Sequence, residues 1–404
     1  VSIVTGNAIT TGIAGGGGAH TPTPANVVIV NAASDLPAAT AGERQLVANT
    51  VYVFGASVAL TDKLIIADGV SITGQNPFGP VLSTTASSLF IGGDANFNLS
   101  EINLDVPSGE VFTITDTVPG TSFVNISTVQ TISCLSYGTF TDISTLIINN
   151  SNSLDGYTGV TVSGSSYTTI SLVKFVMVSS SASFIGVDFG TAVSANIELD
   201  NLVTSSPAGG IGVKVAAASA NLPAGAIGTI TNSTLNLGGM TVPVSGYTAS
   251  DVRWAFRDNS GVSNTVPDAM LSLNSNATET VISVVNTPVK VAGTWVVERV
   301  ALFSGDTSGR VTSLSERGVT SPIDITATIS AASGSNKDIT IYLALNGSII
   351  SNSGETNKVS AGDPKNTTVF WQAVLQENDY LEVWVENNTD TQNLVAESAI
   401  LRVR

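Results

Sequence analysis

The sequence predicts an all-β protein, a parallel β-helix followed by an antiparallel jelly-roll β-sandwich. Three observations carry that expectation. Only 11% of the 404 residues are Asp, Glu, Lys or Arg, against roughly a quarter in an ordinary globular chain. Apolar residues make up 43%, glycine occupies 38 positions, and much of the rest is Ser, Thr and Asn. That mixture disfavours helices and suits β-branched strands joined by Gly, Asn and Ser turns. Finally, short runs in which every second residue is aliphatic recur along most of the chain.

The first unit, residues 1–26, is a low-complexity arm. It holds Gly15, Gly16, Gly17 and Gly18 and then Thr21-Pro22-Thr23-Pro24. Four consecutive glycines hold no regular element, and Thr-Pro pairs are extended chain. The arm is expected to anchor the protein by docking on a partner. His20, the one histidine, lies here with no further metal-ligating residues beside it.

Residues 27–246 are expected to form the β-helix. Strands are read at 50–54, 64–66, 95–106, 123–135, 144–150, 168–178, 195–203 and 227–237. The apolar centres of the later runs recur roughly every 17 to 31 residues, the period range of solenoids. In Asn96-Phe97-Asn98-Leu99 and Asn196-Ile197-Glu198-Leu199, alternate residues face one side, so one face is buried and one is wet. Stacked coils satisfy that pattern, because each covers the apolar face of the next. A large antiparallel sandwich is the rival, but it needs tight-hairpin signals. Here these are sparse, mainly Asp68-Gly69 and Asp155-Gly156.

Residues 247–275 are read as a neck between two large units. Arg253, Trp254, Phe256 and Arg257 crowd into 251–258; Arg253 and Trp254 are candidates for an interface or ligand surface, with Arg–Trp stacking as one expected contact and a plain surface strand as the alternative. The jelly-roll sandwich is expected over 276–404. Strands are read at 294–300, 323–329, 338–345, 366–375, 380–386 and 396–403. Asn346-Gly347 supplies a hairpin turn between two of them. Along 380–386 the alternation is clean. Leu381, Val383 and Val385 belong in the core, while Tyr380, Glu382, Trp384 and Glu386 share the other face, which suits a subunit interface or a ligand surface.

The net charge of −16 argues against nucleic acid and against an anionic membrane surface, since both are bound by clustered Lys and Arg. No run of about 20 apolar residues exists to insert in a membrane. Cys134, the one cysteine, has no intrachain partner and reads as a small buried residue. The absence of a signal peptide and of disulfides fits a virion part made in the cytoplasm.

Two segments resemble known proteins. Ser34-Asp35-Leu36-Pro37, Asn49-Thr50-Val51-Tyr52-Val53-Phe54 and Ile65-Ile66-Ala67-Asp68-Gly69-Val70-Ser71-Ile72-Thr73-Gly74 resemble the lead-in to right-handed parallel β-helices of phage tail-fibre, tailspike and head-decoration proteins. The runs 341–347 and 378–387 resemble the trimeric jelly rolls, similar to the C1q and tumour necrosis factor fold, that terminate many phage virion proteins. The resemblance implies a homotrimer on the exterior of the virion, joined through its arm to capsid or tail proteins. A host-surface glycan is a further possible partner. Capsid decoration is preferred over a receptor-binding tail fibre or spike, because about 26 residues are too few for a folded tail adaptor.

Chemistry is expected to be absent, so the protein is read as a non-enzyme with no cofactor and no metal. The alternative is a polysaccharide depolymerase, which needs paired carboxylates. Glu198 and Asp200 are the best pair, sharing one strand face two residues apart. Glu101 with Asp105 or Asp94 is a second choice, and Asp188 lies about one turn before Glu198. As solvated acids on an outer face, all of these need no special role. A bacterial adhesin or surface-layer component is a third reading.

Overall fold

The computed structural model describes residues 26–76, 79–247, 253–316 and 318–404. The arm with His20 and its glycine run lies outside the described residues. The chain winds first as a solenoid of three parallel sheets and then forms an antiparallel sandwich. A right-handed β-helix followed by a β-sandwich was the expectation, and that all-β architecture is what the chain adopts.

One sheet fixes the logic of the solenoid. Its strands are Asn26–Val30, Thr50–Phe54, Val70–Thr73, the starts of Phe97–Thr115, Phe123–Thr141, Thr145–Leu154 and Thr169–Val178, then Ile197–Asp200, Gly228–Thr231 and Trp254–Arg257. All pair in parallel. Tyr52, Ile72, Leu99, Ile126, Ile148, Leu172, Leu199, Ile230 and Phe256 follow one another in register and are buried. Each therefore covers the next, which is how a coil too small for its own core acquires one. The 19-residue strands Phe97–Thr115 and Phe123–Thr141 bend through all three sheets within one coil. Inside, Phe112 lies 5.4 Å from Phe90 and 5.4 Å from Tyr137, which lies 4.9 Å from Phe175. Cys134 is buried, as expected, beside Thr131 and Ser153.

The corner after the first sheet is built from left-handed residues. Glu101, Thr128, Asn150, Lys174, Asn201, Asn232 and Asp258 have φ between 48° and 57°. Each follows directly on the same outward column, Ser100 to Arg257. Asn and Asp tolerate this conformation through local hydrogen bonds, whereas Glu, Thr and Lys carry its steric cost.

Two boundaries differ from the sequence reading. Trp254–Arg257 hydrogen-bonds to Gly228–Thr231, so it is the last rung of the solenoid and not part of a neck. The first strand of the sandwich is Asp268–Leu273, inside the stretch read as neck. The large aromatics there are inward-facing core residues, which a composition shift alone does not distinguish from a linker.

The sandwich has two antiparallel sheets. One runs Val296–Ala301, Asp268–Leu273, Leu394–Val403, Val319–Ala331, Lys365–Leu375, with Glu279–Thr280 beside Leu394–Val403. The other runs Phe303–Gly305, Val311–Ser313, Tyr380–Asn387, Lys337–Leu345, Ser348–Ile349, with Val289–Lys290 beside Tyr380–Asn387 and Glu355–Val359 beside Lys337–Leu345. Leu381, Val383 and Val385 are buried between the sheets with Ile325, Ile341 and Leu401. Asn346 and Gly347, at φ 53° and 73°, form the expected hairpin, which closes with Leu345 opposite Ser348.

Candidate functional site

Strand Ile197–Asp200 buries Ile197 and Leu199 and turns Glu198 and Asp200 outward. Along the stack Glu198 lies between Ser171 and Thr229, and Asp200 lies between Val173 and Thr231. The Cα atoms of alternate strand residues are about 7 Å apart, so the two carboxyl groups share one face of one rung, as a two-carboxylate glycosidase requires. The two acids are held differently. Asp200 accepts from Thr231 Oγ1 at 2.7 Å, Asn232 Nδ2 at 2.9 Å and Asn201 Nδ2 at 3.3 Å. Bonds from Thr231 and Asn232 hold its carboxyl below the usual aspartate value, because they favour the charged form. Glu198 is exposed and accepts a long bond, 3.4 Å, from Ser171 Oγ. One carboxylate is thus fixed and ionised beside one that is loosely held.

The other acids do not join them. Asp188 lies on another sheet and pairs with Lys214 at 2.9 Å. Glu101 turns a left-handed corner, and Asp105 stands on the next sheet, opposite Ser83 and Ser133. Asp94 accepts from Val118 N at 2.8 Å and from Thr117. The second-choice set is therefore dispersed by the corner that separates adjacent faces. Among the described residues no group of three or more His, Cys, Asp or Glu could hold a metal, and no helix is long and apolar enough to cross a membrane.

Arg253 and Trp254 part company. Successive residues of a strand point to opposite faces. Trp254 is buried, with its ring 6.0 Å from Phe189 and 6.4 Å from Phe256. Arg253 points away and bonds Glu316 at 2.6 Å and Leu222 O at 2.9 Å. The expected Arg–Trp stacking is corrected to an Arg253–Glu316 ion pair, and Trp254 is a core residue of the solenoid and not the interface or ligand-surface candidate it was read as.

On the sandwich, Tyr380, Glu382, Trp384 and Glu386 do share the face opposite the core. Other strands cover that row in part. Glu382 is only 3% exposed. It accepts from Lys290 Nζ at 2.8 Å, from Arg310 Nε and Nη2 at 3.2 Å each, and from Trp384 Nε1 at 3.1 Å. Burial pushes its carboxyl up, but the bonds from Lys290, Trp384 and Arg310 outweigh burial and hold it below the usual glutamate value. Arg310 lies over the Tyr380 ring at 3.9 Å, and Tyr342 Oη donates to Glu386 at 2.8 Å. Sequence reasoning found the row but missed Lys290, Arg310 and Tyr342. They arrive from other strands, and strand order and register leave no local mark.

No family model matches the chain, and no curated protein matches it. Similar solved structures exist at low identity. The enzymatically active domain of tailspike protein 4 of bacteriophage CBA120 is 9% identical with a TM-score of 0.26, covering 87% of this chain and 64% of that one. Tailspike protein gp49 from Acinetobacter baumannii bacteriophage Fri1, a capsular polysaccharide depolymerase, is 11% identical with a TM-score of 0.18, covering 93% and 85%. The Eiger TNF from S. frugiperda is 13% identical with a TM-score of 0.22, covering 34% and 93%. At these values the likeness concerns fold. Phage tailspikes are among the proteins that the chain is similar to, in keeping with the resemblance read from its sequence. The expectation of a non-enzyme is not carried forward: against it, two of these similar structures are an enzymatically active domain and a capsular polysaccharide depolymerase.

Proposed function

We propose that the chain is a bacteriophage protein of the virion exterior that assembles as a homotrimer and cleaves a bacterial surface polysaccharide on its solenoid. The observation that carries this reading is the outward pair Glu198 and Asp200 on one rung. Asp200, fixed and ionised, is suited to activate a water as general base. Glu198 faces it on the same strand and is placed to protonate the departing glycosidic oxygen. Incubation with host capsule or lipopolysaccharide and a reducing-end assay tests the reading. Release of reducing ends by the wild type, abolished in Glu198→Gln and in Asp200→Asn, is the expected result. No release from any host glycan would end the proposal.

Trimer formation is supported by the outer face of the six-stranded sheet. Phe370 is 71% exposed there and Val374 59%. Arg402 Nε is buried beside them without a hydrogen-bond partner among the described residues. An apolar patch with an orphaned donor is a surface that gains from being covered.

Capsid decoration is the second reading. Ile132 and Leu135, exposed at 41% and 43%, and Leu237 at 44% flank the half-buried Leu154, Val176, Val178 and Val203 on the outside of the second sheet. That stripe along the stack suits lateral packing against shell subunits. Labelling at the capsid and not at the tail would favour it.

A further inference from the structure

The outer face of the seven-stranded sheet carries a set of aromatic side chains that the core does not use. Lys290, Trp384 and Tyr342 form one row across three adjacent strands, Lys290 opposite Trp384 and Trp384 opposite Tyr342. Tyr380 lies on the same face of the same strand as Trp384. Trp384, Tyr342 and Tyr380 are each partly exposed, and none belongs to the hydrophobic core of the sandwich.

What fixes these rings is polar chemistry. The Trp384 indole donates to Glu382, which is itself anchored by Lys290 and Arg310. The Tyr342 hydroxyl donates to Glu386, and its ring lies against Gly354, where a Cβ would sit 2.5 Å from Tyr342 Cε1. Arg310 stacks on Tyr380. Lys290, with three donors, spends two of them on Glu382 and Ser308. Burying Glu382 carries a desolvation cost that the four hydrogen bonds it accepts offset. The result is two flat rings on adjacent strands, held by the buried carboxylates Glu382 and Glu386 and bordered by ammonium, guanidinium and hydroxyl groups. Rigid aromatic faces ringed by polar groups are the surface that a sugar demands, because a pyranose offers an apolar C–H face and a rim of hydroxyls.

We infer that this face is an oligosaccharide-binding site, with Trp384 and Tyr342 as stacking platforms and Lys290 and Arg310 at its polar rim. The inference extends the proposed polysaccharide activity by giving the sandwich a glycan subsite of its own, away from Glu198 and Asp200.

The test uses the full chain and an array of bacterial capsular and lipopolysaccharide glycans as probes. The wild type is expected to bind at least one. Trp384→Ala and Tyr342→Ala are each expected to weaken that binding by about tenfold or more with the fold retained by circular dichroism, and Trp384→Phe restores most of it. Glu198→Gln with Asp200→Asn abolishes cleavage and leaves this binding intact. Binding undiminished in both alanine variants would overturn the site while sparing the solenoid reading, and a wild type that binds no glycan would overturn it as well. Loss of sandwich binding with cleavage retained would confirm two separate sites. Binding without any cleavage would sink the activity and keep this site.

Discussion

Arg253 donates Nε at 3.0 Å and Nη2 at 2.6 Å to a single oxygen of Glu316. The other Glu316 oxygen accepts the amide N–H of Gly225. Arg253 also reaches Leu222 O, so one carboxylate ties two successive coils of the solenoid to the sandwich. Glu316→Ala is expected to loosen the junction at a cost of about 1–2 kcal/mol, the worth of charge-assisted bonds at a half-exposed site. Calorimetry would show the melting of solenoid and sandwich moving apart.

The same contact sets an acid limit. Bonds from Arg253 and Gly225 hold the Glu316 carboxyl below the ordinary glutamate value. Its contribution is therefore complete above the unfolded value of about 4.3 and is lost as the pH falls through the lower folded one. The junction should be unchanged from pH 7 to pH 5 and weaken only in stronger acid. Glu316→Gln should remove that dependence, as followed by small-angle scattering across a pH series.

Phe112 packs on Phe90, Tyr137 and Phe140, three rings from neighbouring coils. Phe112→Ala is expected to cost about 3–5 kcal/mol. Contacts in a solenoid reach only adjacent coils, so hydrogen exchange should rise around 88–92 and 136–141 far more than around 197–200.

Lys174 occupies the left-handed corner at φ 52° where the equivalent residues Asn150, Asn201 and Asn232 are asparagine. Lys174→Asn should relieve part of the steric cost and stabilise the protein by about 0.5–1 kcal/mol. Denaturant unfolding with an unchanged slope would check it.

Phe370→Glu with Val374→Glu places two charges on the patch assigned to subunit contact. Light scattering should report the mass of the monomer, with the fold retained by circular dichroism. A trimer persisting in that variant would exclude this face as the interface.

Much of the fold was legible because its strongest constraint is local. The two-residue alternation around Leu99, Leu199 and Val383 reveals which side chains turn inward, and Asn346-Gly347 marks a hairpin by its own conformation. The end of the solenoid was hidden, since Trp254 and Phe256 are core residues only because Gly228 and Ile230 lie opposite them in the preceding coil. The candidate sites were half legible. Glu198 and Asp200 share a face by periodicity alone, as do Tyr380, Glu382, Trp384 and Glu386. The donors that define their chemistry, Thr231 for Asp200 and Lys290 and Arg310 for Glu382, come from strands whose pairing no short-range pattern encodes. The second-choice acids failed for a related reason: Glu101 sits at a bend, and alternation does not carry across a bend.

From one coil to the next the register step is not constant. Val51 meets Ser71, 20 positions on, whereas Glu198 meets Thr229, 31 positions on, yet the inward columns remain aligned. Extra residues are therefore absorbed at the corners without disturbing the ladder. The scaffold is tolerant of loop grafts at those bends, and its outer contour can be rewritten while its interior is conserved.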